Sequence, residues 1–164
     1  MAGGFDIKKI GNNSSILGAQ KDLDAAKGGY DLAKGNIFDA AKSAEGATAG
    51  VKSAGDNLEA ANVSFSTLTN MLADFKKMLS GDLSEEEKTK VEAQVADAGA
   101  QVADAAAAKE KAAADVKTAE GQKTTADAAV EKATGEQTKA AGEVKEAEAA
   151  LYSAQTEVKA EVAD

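Results

Sequence analysis

The sequence predicts an all-α fold: a long antiparallel two-helix coiled-coil hairpin with an alanine-rich heptad seam. Three observations predict it. The 164 residues include no proline, the residue that most often breaks helices. Apolar residues repeat with 3–4 spacing in two long runs. One short segment rich in turn-forming residues separates the two runs, so the helices are expected to fold back on each other.

The composition favours a thin structure without site chemistry. Alanine occurs 39 times and aromatic residues make up only 4%, and because alanine buries little area, a thick core is not expected. The absence of cysteine and histidine removes thiolate ligands and the commonest general base. We therefore expect no catalytic residue, no cofactor and no metal, and the protein is predicted not to be an enzyme.

The charge pattern restricts the partners. The net charge is −9, all of it in residues 81–164, and every basic residue is a lysine. Nucleic-acid binding is not expected, since phosphate contacts need clustered cations. No stretch approaches the roughly 20 apolar residues of a membrane span, so membrane contact is not expected either.

An N-terminal segment, residues 1–15, precedes the predicted helices. It carries the apolar residues Phe5, Ile7 and Ile10, followed by a polar NNSS sequence that is a plausible helix start. The segment has no continuous apolar core of the kind found in cleaved export signals. We expect it either to dock on the hairpin or to be lent to a neighbouring subunit.

The first long helix is predicted for residues 16–79. One seam column repeats every seventh residue and holds large side chains: Leu23, Tyr30, Ile37, Val51, Leu58, Phe65 and Leu72. The alternating column holds alanine at every position from Ala19 to Ala61.

The turn is predicted for residues 80–84. Gly81 is expected to end the first helix in a left-handed conformation. Ser84 and Glu87 form a capping-box pattern, and the acidic residues 85–87 suit the positive end of a helix. Such a short connection predicts antiparallel neighbours.

The second long helix is predicted for residues 85–160. Its large seam column contains Val95, Val102, Val116, Val130 and Val144, and alanine repeats every seventh residue from Ala98 to Ala154. The large column also contains Lys109, Lys123 and Gln137.

The two seams can be paired so that large residues meet small ones. In the predicted pairing Leu58 faces Ala105 and Ile37 faces Ala126, as close-packed layers require. The same pairing sets Lys109 opposite Ala54, where a small partner leaves room for the lysine to reach water.

Several large residues of the first helix lie outside the seam. With the N-terminal apolar residues they form the predicted assembly interface: Leu17, Leu32, Phe38, Val63, Met71, Met78, Phe5, Ile7 and Ile10. Glycines 28, 29 and 35 lie nearby, where a neighbour could approach closely. The competing explanation is that scattered apolar residues are normal on protein surfaces.

The predicted architecture resembles that of bacterial helical secretion filaments. A long α-hairpin, no cysteine or tryptophan, no cleaved signal and the polar GNNSS at 11–15 are shared with needle and sheath-filament proteins of type III secretion systems and with the coiled-coil core of flagellins. The likeness covers residues 16–158. It implies a structural subunit that self-assembles into an extracellular filament or tube, with a secretion chaperone as a further partner.

Three alternatives remain open at this stage. A phasin- or apolipoprotein-like protein would open the hairpin on a lipid or granule surface. A desiccation-protectant helical protein would share the alanine-rich composition, although such proteins typically have 11-residue repeats. A cytoplasmic location is the alternative to export.

Overall fold

The computed structural model describes the backbone of residues 7–163 and the side chains of residues 14–160. It is an all-α hairpin of two long helices packed against each other: α1 comprises Ile7–Leu79 and α2 comprises Glu85–Ala163. The described residues contain no strand, no cis peptide bond and no residue with a positive φ. The predicted fold class is therefore confirmed.

The helix bounds differ from the prediction at two of the four ends. α1 begins at Ile7 and runs through the NNSS sequence, which was predicted to be its start, and α2 continues to Ala163 instead of ending at residue 160. Neither Ser14 nor Ser15 is followed three residues later by a glutamate or glutamine that would complete a capping box. Because no capping box fixes the helix start at NNSS and no proline interrupts the chain, α1 extends upstream to Ile7.

The turn ends α1 in a different way from the one predicted. Gly81 does not have a positive φ, so the expected left-handed cap is wrong. Instead, the Gly81 N–H donates to the Met78 carbonyl at 3.0 Å and the Ser80 N–H donates to the Lys77 carbonyl at 3.1 Å. These i→i−3 bonds satisfy carbonyls that the end of a helix leaves free, so no left-handed residue is required.

The start of α2 is held by reciprocal hydrogen bonds between Ser84 and Glu87. The Ser84 N–H and hydroxyl donate to Glu87 Oε2 at 2.9 and 2.6 Å, and the Glu87 N–H donates to Ser84 Oγ at 3.4 Å. The Ser84 hydroxyl first, and its backbone N–H second, lower the pKa of the Glu87 carboxyl from its ordinary value. A carboxylate in the first turn also suits the helix dipole.

The chain divides into two compact units. The turn unit comprises Ala44–Thr125, and the terminal unit comprises the described residues up to Ser43 together with those from Ala126 onward. In the turn unit the buried residues are Val91, Ala98, Ala105, Ala112 and Ala119. In the terminal unit they are Leu23, Ala33, Ala126, Ala133, Ala140 and Ala154. Alanines of α2 dominate both sets.

The large seam residues lie beside these alanines. Leu23 is buried, and the others are half-buried: Tyr30, Ile37, Val51, Leu58, Phe65, Leu72, Val95, Val102, Val116, Val130 and Val144. A large side chain from one helix overlies a small one from the other, so the alanine is covered while the large residue keeps an exposed edge. Each unit therefore has a core one seam wide, and no described side chain is completely buried.

The register in the turn unit is one heptad away from the predicted pairing. Lys109 Nζ lies 5.1 Å from the centre of the Phe65 ring. The predicted pairing sets Lys109 opposite Ala54, and Phe65 lies about 16 Å further along the axis at 1.5 Å per residue, beyond the reach of a lysine. With Lys109 opposite Ala61 instead, Phe65 is one turn away. The two side chains then lean toward each other, because helical side chains point toward the N-terminus. The predicted pairing is wrong.

The terminal unit has the same shift. Ala33 and Asn36 of α1 line a shallow groove together with Lys139 and Ala140 of α2. The predicted pairing would set Ala33 opposite Val130, about 15 Å from Ala140 at 1.5 Å per residue. Moving the pairing by one heptad brings these four residues to neighbouring levels.

The physical reason for the shift lies next to the turn. The predicted pairing would set Phe75 opposite Lys88. The observed register sets Phe75 opposite Val95 and Leu79 opposite Val91, whose side chain is only 6% exposed. Apolar residues thus meet apolar residues, which removes more hydrophobic area from water.

Candidate assembly surface

The predicted interface residues of α1 are exposed wherever their side chains are described. Exposure ranges from 41% at Met71 to 73% at Leu17, and the set comprises Leu17, Leu32, Phe38, Val63, Met71 and Met78. The matching residue on α2 is Tyr152, which is 72% exposed. Phe5 lies outside the described residues. Ile7 and Ile10 belong to α1, but their side chains lie outside the described ones.

The exposed residues of the terminal unit do not form one continuous stripe. Leu17 and Phe38 occupy equivalent heptad positions, about 30 Å apart at 1.5 Å per residue. Leu32 lies between them along the axis, but roughly 100° around the helix from their column at 3.6 residues per turn. Each is therefore a separate apolar knob.

In the turn unit two exposed methionines share one face. Met71 and Met78 are one heptad apart, so both project from the same column of α1. Val63 precedes Met71 by eight residues, just over two turns, and lies roughly 100° around the helix from the methionine column. Methionine adapts its shape to a partner because its side chain is unbranched and flexible. Two flexible apolar side chains therefore lie about 10 Å apart along one face of α1.

An uncharged stretch surrounds Val63 and Met71. Residues 60–73 contain no ionisable side chain, although charged residues make up 29% of the chain. The stretch covers about 20 Å of helix at 1.5 Å per residue. The Thr67 and Thr69 hydroxyls donate to the carbonyls four residues earlier, at 2.9 and 2.7 Å. These two hydroxyl donors would therefore stay paired if a neighbouring subunit covered them.

The predicted gaps on α1 are open surface. A side-chain carbon placed at Gly28, Gly29 or Gly35 would meet nothing within 4 Å. The hairpin itself therefore does not require glycine at these positions. Another backbone could therefore approach α1 closely at these positions.

The outward face of α2 differs from that of α1. Its outermost column consists entirely of small, exposed residues: Ala93, Ala100, Ala107, Ala114, Gly121, Ala128, Gly135, Gly142 and Ala149. Charged residues flank this column, several of them in i,i+4 ion pairs such as Lys111–Asp115 at 2.9 Å. The hydrogen bond from Lys111 to Asp115, followed by the charge of Asp115, raises the lysine pKa. Such exposed pairs contribute little stability.

Other kinds of site find no support in the part of the chain that the structure describes. No group of three or more acidic side chains is placed to hold a metal ion, and no described polar or charged residue is buried. No described helix is long and apolar enough to cross a membrane. The grooves between α1 and α2 in the terminal unit are shallow and open.

No family model matches the chain, and no curated protein matches it in sequence.

Two features escaped the sequence analysis. The Lys109–Phe65 contact was missed because the predicted pairing placed the two residues far apart. A search of each possible register for a seam lysine within one turn of a facing aromatic ring would have found this contact. The uncharged stretch 60–73 was visible in the sequence as the longest interval of α1 without a charge, but only the exposure of Val63 and Met71 marks it as a surface.

Proposed function

We propose that the protein is a structural subunit that assembles with copies of itself into an extracellular helical filament or tube, with α1 providing the contacts between subunits. The observation that carries the proposal is the contrast between the two helices. Six of the seven exposed large apolar side chains in the described region lie on α1. The whole net charge of −9 lies in residues 81–164, the half of the chain that contains α2.

Charge favours contacts through α1. Subunits packed repeatedly through an acidic face would repel one another, since like charges at close range raise the free energy of the assembly. Residues 1–80 have no net charge, and residues 60–73 carry none at all. Copies can therefore meet along α1 while α2 keeps the assembly soluble.

Burying the exposed apolar side chains of α1 at repeated subunit contacts would stabilise an assembly. Phe38 is 71% exposed, so covering the rest of its side chain contributes about 1–2 kcal/mol, scaled from about 1.5–3 kcal/mol for full burial. Each subunit of a filament makes such contacts with more than one neighbour. A weak contact at one knob thus adds to those at the others.

The test is a set of glutamate substitutions at exposed positions. Phe38→Glu and Met71→Glu remove apolar area from α1 and place a charge in the proposed contact, which is costly when the charge is unpaired. Ala107→Glu on the outer column of α2 is the matched control, because it adds the same charge to the other helix. Circular dichroism reports the hairpin, and sedimentation with electron microscopy reports assembly.

We expect all three variants to stay helical, and we expect only the two α1 variants to lose assembly. Normal filaments from both α1 variants, or a loss of assembly confined to Ala107→Glu, would contradict the assignment of the face. A wild-type protein that stays monomeric at every salt, pH and concentration would refute self-assembly. Binding to lipid vesicles would then favour the lipid-surface alternative, and retained enzyme activity of a partner protein after drying would favour the protectant one.

A further inference from the structure

The seam of this hairpin repeats so regularly that two registers satisfy it. Ile37 lies opposite Ala133 in the observed register and would lie opposite Ala126 after a shift of one heptad. Both alanines are buried, at 6% and 8% exposure. In the turn unit Leu58 likewise exchanges Ala112 for Ala105, each 8% exposed. Large still meets small in either register.

The seam lysine Lys109 does not prevent a shift. It lies opposite Ala61 in the observed register and would lie opposite Ala54 in the shifted one, so a small partner leaves it room in both. The shift would cost the contact between its ammonium group and the Phe65 ring, now at 5.1 Å. An exposed cation–π contact of this kind is a modest interaction.

The main difference between the registers lies beside the turn. In the observed register Phe75 faces Val95, and in the shifted register it would face Lys88. Lys88 is exposed, within the first turn of α2, and no ion pair or side-chain hydrogen bond holds it. Leu79 would also exchange Val91 for Ser84. Two layers beside the turn, out of a long repeating series, therefore separate the two states.

We propose that the hairpin is a two-register device, in which α1 slides along α2 by one heptad and the turn with the first residues of α2 takes up the change. The step is about 10 Å, seven residues at 1.5 Å each. A partner that binds one register more tightly would shift the balance between them. A change at the turn is thereby converted into a displacement of one helix against the other in each unit, whether or not the protein assembles.

Cysteine pairs report the two registers directly, because the natural chain contains no cysteine. Ile37→Cys with Ala133→Cys reports the observed register, and Ile37→Cys with Ala126→Cys reports the shifted one. The two variants share the seam substitution at residue 37, so its cost is the same in both. Disulfides form only when the Cα atoms come within about 7 Å, so neither pair can form in the other register.

A second set of pairs tests the turn unit independently. Leu58→Cys combined with Ala112→Cys reports the observed register, and Leu58→Cys combined with Ala105→Cys reports the shifted one. Oxidation is carried out in a glutathione redox buffer at a protein concentration where sedimentation shows monomers. Non-reducing electrophoresis and mass spectrometry then separate intramolecular from intermolecular disulfides.

A substitution at the turn shifts the balance in a predicted direction. Lys88→Leu replaces the unfavourable Phe75–Lys88 layer of the shifted register by an apolar one, while leaving the observed layers unchanged. Lys90→Leu is the matched control: it removes the same charge two residues away, at a position outside the seam that pairs with Glu86. We expect Lys88→Leu to raise the yield of the 37–126 and 58–105 disulfides several-fold, and Lys90→Leu to leave it unchanged.

The shifted disulfides should also form at a measurable level without Lys88→Leu. The proposal is overturned if the observed-register pairs oxidise fully while both shifted pairs stay reduced in the wild-type and Lys88→Leu backgrounds. It is also overturned if Lys90→Leu raises the shifted yield as much as Lys88→Leu does, since the effect would then not come from the Phe75 layer. Circular dichroism of each oxidised species confirms that both helices persist.

Discussion

The thin seam makes a sharp prediction about two leucines of α1 that differ only in their surroundings. Leu23 is 5% exposed and Leu32 is 69% exposed, and both belong to the same helix and the same unit. Replacing each by alanine removes the same three carbon groups. The gain in helix propensity is also the same and cancels in the comparison. The difference in stability therefore reports burial alone.

The expected magnitude follows from the exposed fractions. At about 0.8 kcal/mol per buried carbon group, complete burial of the three groups contributes about 2.4 kcal/mol. Scaling by exposure gives a loss of about 2.3 kcal/mol for Leu23→Ala and about 0.7 kcal/mol for Leu32→Ala. A seam open on both sides can relax around the deletion, so we expect little of the cavity penalty seen in thick cores.

Urea unfolding followed by circular dichroism measures both losses. The free energy of unfolding comes from linear extrapolation to zero urea. The slopes of free energy against urea concentration should agree for the two variants, because both expose nearly the same surface on unfolding. The protein concentration is kept where sedimentation shows monomers, so that assembly does not add to stability. A difference below about 0.5 kcal/mol, the usual scatter of surface substitutions, or a larger loss at Leu32 would refute the burial argument.

The remaining predictions use the same unfolding assay. Ala98→Leu should cost about 1–3 kcal/mol, because residue 98 is 2% exposed and its layer is full, whereas Ala100→Leu on the exposed outer column should change stability by less than about 0.5 kcal/mol. Ser84→Ala should destabilise the hairpin at pH 7. Because the folded pKa of Glu87 is lowered, its contribution is complete above the ordinary glutamate pKa and lost as the pH falls through the folded value, so the effect of Ser84→Ala should shrink in acid. A cost that stays constant down to pH 2 would contradict this role. Gly50→Ala should stabilise by up to about 1 kcal/mol, since its new side chain meets nothing within 4 Å, and a destabilisation would show that the helix needs glycine there.

Local pattern was enough to predict the two helices and their seam faces. Apolar side chains repeated every three to four residues can be buried together only on one side of a helix. The column through Leu23 and Ile37 therefore predicts which face of α1 is buried. The start of α1 was harder to predict. The polar residues before Ile16 lower helix propensity without stopping the helix, and extension of an existing helix costs little per residue.

The register could not be predicted from the repeat, because a shift of one heptad leaves every column in place. Ala105 and Ala126 lie in the seam in either pairing. Only the layers next to the turn, where Phe75 meets either Val95 or Lys88, distinguish the two. The candidate surface has the same limitation: exposure of Phe38 follows from its position outside the seam, but the sequence of one hairpin does not contain the geometry of its neighbours.

The absence of any completely buried side chain among the described residues has a consequence for how damage spreads. In a thick core, one residue touches many others, and a single cavity weakens contacts throughout the domain. Here each layer meets only the layers above and below it, as in proteins built from stacked repeats. Stability is then close to a sum along the chain. Layers can be added or removed a heptad at a time from both helices, and the hairpin loses or gains length without losing its fold.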